Sequence, residues 1–212
     1  MSFFSLDSKF MQAMSRLADL MMLNILFLVT SLPVFTIGAA STALYSVTCR
    51  IGTEREAGII RPYFQAFREN FKQGTVMFLC LFLPAVVLLL CYFLASAYGG
   101  MMRYLSLLYI PILLVFAFVY SYAFPLLSQF NNTVKVTLKN ALLLSIAYLP
   151  RTLVMVVLNL LPLALLYTQT MLFFQVGFLW LMLYFSASAY FNALLLRKVF
   201  APYQEAQEEE AP

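Results

Sequence analysis

Histidine does not occur in this chain, and its nine carboxylates are few and scattered. Without imidazole the commonest general base and the commonest metal ligand are both missing. Four of the acids crowd the last residues (Glu205, Glu208, Glu209, Glu210), three lie between Glu54 and Glu69, and Asp7 and Asp19 sit near the start. No apolar stretch therefore holds a central pair of acids. The three cysteines, Cys49, Cys80 and Cys91, lack metal-ligand spacing and read as reduced, small hydrophobes. Gly-rich phosphate loops and nucleophile elbows are absent too. These gaps predict a protein that is not an enzyme and carries neither metal nor cofactor.

Charge as a whole is scarce. Charged residues make up 10% of the chain and hydrophobic ones 63%, with a mean hydropathy of +0.88, whereas a soluble domain is about 25% charged. No soluble core could hide that much apolar surface, and at ~20 residues per crossing about five spans fill the chain. The expected fold is all-α: a polytopic transmembrane helical bundle over residues 1–200, followed by a disordered acidic tail, 201–212. The tail is too rich in Glu, Gln and Pro to bury apolar area; removing its four Glu would raise the net charge from +4 to +8.

Gaps between charges place the spans at Leu17–Val47, Gly74–Tyr98, Tyr104–Leu127, within Ala141–Tyr167, and at Met171–Leu196. Prolines inside them read as kinks, because neighbouring helices can re-satisfy a freed carbonyl. The first segment, with Asn24, Pro33 and Gly38 as its structural marks, is taken as one bent helix. A hairpin at Ser31-Leu32-Pro33 would leave arms of only ~15 residues, too short to cross. In the fourth, Arg151 is set at the interface, since a lone Arg at the membrane centre is expensive. A cleaved signal over Leu20–Ala40 is disfavoured by the polytopic remainder.

Basic residues set the orientation. Arg50, Arg55, Arg61, Arg68, Lys72, Lys135, Lys139, Arg151, Arg197 and Lys198 fall on one side and Arg103 on the other. This predicts a multi-pass plasma-membrane protein with a cytoplasmic C-terminus. Five crossings put the N-terminus outside, despite Lys9 and Arg16. The Asn131-Asn132-Thr133 glycosylation match then lies inside and reads as chance.

Two cytoplasmic connections share a design. In Arg61–Lys72, Tyr63, Phe64, Phe67 and Phe71 fall at helical spacing on one face, with Arg61, Gln65, Arg68 and Lys72 beside them. Adjacent aromatic and basic stripes suit an interface of anionic headgroups and acyl chains. Tyr63, Phe64, Phe67, Arg68, Phe71 and Lys72 are thus the candidate residues for docking lipid or a partner. Val134–Ser145 repeats the pattern more weakly, with Val134, Leu138, Ala141, Leu142 and Ser145 on one face. Two interfacial amphipathic helices, each preceding a span, suggest a duplicated unit of span, interfacial helix and span. Polar residues inside the spans, among them Asn24, Asn159, Asn192, Ser41, Ser186 and Ser188, read first as helix-packing material. Lining a solute path is the alternative use.

Three blocks carry a family resemblance: Asn24 with Leu32–Tyr45, Arg61–Gly74, and Leu138–Leu144 with Leu149–Thr152. Together they resemble the YesL family of small bacterial integral membrane proteins, with Phe27 where members usually carry Trp. The family has no established activity, and no catalytic or ligand residues come with the resemblance. Its members are often encoded beside sugar-uptake ABC transporters. The resemblance therefore implies an accessory or scaffold role in carbohydrate uptake, with the lipid bilayer, ABC sugar transporter subunits or a second copy as partners and no nucleic acid. A small transporter is the alternative.

Overall fold

The computed structural model describes residues 9–51, 58–98 and 100–210. Asp7, Glu54, Arg55, Glu56 and Pro212 lie outside the described residues. The described chain is helical almost throughout, with α1 (Lys9–Thr30), a 3-10 turn (Val34–Thr36), α2 (Ile37–Thr48), α3 (Ile60–Glu69), α4 (Phe71–Ala97) and α5 (Gly100–Ser106). There follow α6 (Tyr109–Gln129), α7 (Val134–Ala147), α8 (Leu149–Thr168), α9 (Thr170–Gln175) and α10 (Gly177–Leu179). A π-helical turn (Trp180–Tyr184) and α11 (Phe185–Glu210) complete it.

Among the described residues four helices are long and apolar enough to cross a membrane: Phe10–Thr30, Phe71–Ala97, Tyr104–Gln129 and Leu149–Thr168. The first expected span is not one bent helix. Its chain reverses between α1 and α2. Pro33 restricts Leu32 to extended backbone, and the Thr36 hydroxyl donates to the Thr30 and Pro33 carbonyls, both at 2.6 Å, closing the turn. Beyond the turn α2 runs back beside α1, because Asp19 and Met22 of α1 border the same cavity as Val47, Arg50 and Ile51. The hairpin's first arm is long enough because α1 starts at Lys9 and not at Leu17, taking Arg16 into the helix. Its second arm, α2, rises only about 18 Å and does not reach across. Instead α2 is a central post, buried from Gly38 to Thr48 and packed against α3, α4, α6 and α11.

The fifth expected span, Met171–Leu196, is likewise divided, into α9, α10, the π turn and the first part of α11. Gly177, which weakens a helix, sits where α9 gives way to α10. At the far end α11 runs on through Pro202 to Glu210, so residues 201–210 are helical and not the structureless tail expected. Ala, Gln and Glu are good helix formers, and extending an existing helix avoids the cost of nucleation.

The two short amphipathic helices fold back onto the bundle. α3 returns along α2, and α7 along α6, so α2–α3–α4 and α6–α7–α8 share one connectivity. Both units point the same way. Arg197 donates to the Ile51 carbonyl at 2.6 Å and to the Cys49 carbonyl at 3.2 Å, at the end of α2. One turn on, Phe200 meets Phe130, just past α6, edge to face at 5.5 Å. The start of α1, the ends of α2 and α6 and the last turns of α11 thus gather at one end of the bundle.

Candidate functional site

α3 is the most two-sided helix in the molecule. Its Tyr63 and Ala66 are buried and Phe67 is half-buried, while Phe64, Gln65, Arg68 and Glu69 are exposed; the expected helix to Lys72 breaks at Asn70, so the exposed Phe71 and Lys72 open α4. The Tyr63 hydroxyl lies 2.6 Å from that of Thr30, and burial pushes its phenol up to about 12. The aromatic stripe read from the sequence is therefore divided. Tyr63 anchors α3 to α1, Phe67 stacks edge to face on Phe71 at 5.6 Å, and the outward surface consists of Phe64, Arg68, Phe71 and Lys72. In α7 the inward residues are Thr137, Ala141, Leu144 and Ser145, with Leu142 exposed instead of packed. Arg151, half-buried in the first turn of α8, stands 5.3 Å over the Tyr148 ring, a cation–π geometry.

The structural marks of the first segment do separate work. Asn24, fully buried, accepts from the Ser186 backbone N–H at 3.0 Å and ties α1 to the junction of the π turn and α11. Pro33 begins the turn into α2. Gly38 lies against Gly74: a Cβ on Gly38 would stand 2.1 Å from the Gly74 carbonyl oxygen, so α2 and α4 cross at their smallest residues.

Deeper in the bundle a chain of neutral polar groups joins four helices. Asn192 of α11 donates through Nδ2 to the Tyr45 hydroxyl of α2 at 3.1 Å and to Asn159 Oδ1 of α8 at 3.0 Å. Ser188 donates to the same Oδ1 at 3.3 Å, and Asn159 Nδ2 donates to Ser121 of α6 at 3.2 Å. Asn192 Oδ1 is buried without a partner among the described residues. Sequence reasoning named Asn159, Asn192 and Ser188 but missed Tyr45 and Ser121. A hydroxyl on a charge-free helix was the only available signal, and it is shared with many surface residues.

Asn159 and Ser121 also face a cleft. α4 and α8 both pack against α6, leaving between them a cavity of about 310 Å³ with Leu81, Ala85, Phe116 and Ala117 among its walls. Its rim residues Phe82, Leu160 and Leu163 are exposed. All three helices are long and apolar enough to span a membrane.

No curated protein matches the chain. No solved structure matches it either. From Leu20 to Tyr92, a stretch that holds the second half of α1, α2, α3 and most of α4, it is similar to a family whose description reads "Protein of unknown function, DUF624".

Proposed function

We propose that this protein works by contact in the bacterial plasma membrane, as an accessory or scaffold subunit beside a carbohydrate transporter. One observation carries the reading. α3 is locked to the bundle by Tyr63 and Ala66 yet turns Phe64 and Arg68 outward, next to the exposed Phe71 and Lys72 that begin α4, and exposed aromatic and basic residues together are typical of recognition surfaces. The resemblance to the YesL family supplies the link to sugar uptake. The proposed orientation sets the end bearing Arg50, Arg197 and both ends of the described chain in the cytoplasm, in keeping with the bias of Lys and Arg.

The test is an affinity pull-down from native membranes in mild detergent. Transporter subunits should co-purify with the wild type and be lost from a Phe64→Gln/Phe71→Gln variant that still inserts. Sugar flux through the isolated protein in liposomes would overturn the reading in favour of a small transporter. That second reading is favoured by the repeated unit and by the polar chain at mid-bundle, since transporters built from repeats bind near the midplane.

A further inference from the structure

We propose that the cleft between α4 and α8, floored by α6, binds a neutral lipid-soluble molecule: a hydrocarbon chain carrying one oxygen acceptor, such as a long-chain alcohol. The walls set the hydrocarbon part. Leu81, Ala85, Phe116, Ala117, Leu160 and Leu163 come from three membrane-length helices, and a cleft of that lining is wetted poorly by water and well by acyl or prenyl chains. Its volume of about 310 Å³ stands at the lower end of small-molecule pockets.

Hydrogen-bond accounting sets the oxygen. A primary amide offers two N–H donors and two oxygen lone pairs. On Asn159, Oδ1 accepts from Asn192 and Ser188, and Nδ2 donates to Ser121. The oxygen is thus filled and one N–H is left over, on a half-buried residue that lines the cleft. Ser121 gives its own proton to the Ala117 carbonyl at 2.9 Å, so its hydroxyl has no second proton to donate. Tyr120, which also lines the cleft, has its hydroxyl bonded to Ser41, so the amide N–H of Asn159 is the group that calls for an acceptor. Among the described residues no charged side chain lines it.

The experiment uses the full chain in phospholipid nanodiscs with diazirine-bearing hexadecanol, mapping photo-adducts by mass spectrometry. Saturable labelling should concentrate on Phe82, Phe116, Leu160 and Leu163, above that of lipid-facing residues elsewhere such as Leu90 and Val157. Unlabelled hexadecanol should compete about fivefold better than hexadecane, the ratio one ordinary hydrogen bond supplies. Ala117→Phe, which fills the cleft, should erase the concentrated labelling while circular dichroism and monodispersity stay unchanged; Ala85→Phe, from the opposite wall, is the second variant if the first misfolds. Even, unsaturable labelling, equal competition by alcohol and alkane, or disulfide trapping between two Leu160→Cys copies at the cleft would each overturn the proposal.

Discussion

A methyl group added to Gly38 would reach within 2.1 Å of the Gly74 carbonyl oxygen and 2.6 Å of Phe78 Cβ. Backbone cannot step aside cheaply at a helix crossing, so Gly38→Ala should lower stability by about 3 kcal/mol, read as thermal midpoint in detergent. Gly177→Ala, with open space around its site, should stabilise by up to about 1 kcal/mol through helix propensity. Asn192 argues at the same scale. It donates to both Tyr45 and Asn159, and hydrogen bonds between helices in lipid average ~0.6 kcal/mol each. Asn192→Leu should then cost about 1–2 kcal/mol in the same melt. A neutral result would mean that the network is not part of what holds α2, α8 and α11 together. Asn24, Asn159 and Asn192 could be picked from the sequence because an amide in an apolar run is conspicuous. Their partners could not, since a backbone N–H such as that of Ser186 leaves no mark in composition.

α3 shows what periodicity can and cannot tell. Helical spacing revealed a helix with aromatic and basic stripes, but Tyr63 and Phe64 are neighbours in sequence and about 100° apart on the helix. Which of them turns inward depends on Thr30, 33 residues away. Tyr63→Phe should therefore cost about 1 kcal/mol of stability and leave partner capture intact, whereas Phe64→Gln/Phe71→Gln should do the reverse. Thermal melts and the pull-down, run on both variants, separate the two roles. α1 and α2 were misjudged for a related reason. Reading spans from gaps in charge starts the first helix at Leu17 and leaves Lys9 and Arg16 outside it, so the hairpin arms look too short. A helix with one wet end tolerates such charges in its outer turns, where long side chains reach the interface. The buried post α2 was invisible to that method, because a short apolar helix and half of a long span have the same composition.

Across the whole molecule the α1–α2 reversal changes where the ends lie. Asp19 and Met22 border one cavity with Arg50 and Ile51, and Arg197 reaches the Cys49 and Ile51 carbonyls. Both ends of the described chain therefore belong to the same end of the bundle. In the proposed orientation Lys9 and Arg16 fall on the side where Lys and Arg are most numerous, in keeping with the positive-inside bias. The expected outcome is that epitope tags at the N-terminus and at Pro212 are both protease-protected in intact cells and both cleaved once the inner face is opened. A native thiol is the wrong probe for this question. Burial pushes the Cys49 thiol up to about 12, leaving little of the reactive thiolate at neutral pH, so maleimide labelling of Cys49 should be slow from either side. A cysteine placed at exposed Lys72 reports better, and it should label only after permeabilisation. Cleavage of one tag alone in intact cells would show an odd number of crossings and would refute the shared end.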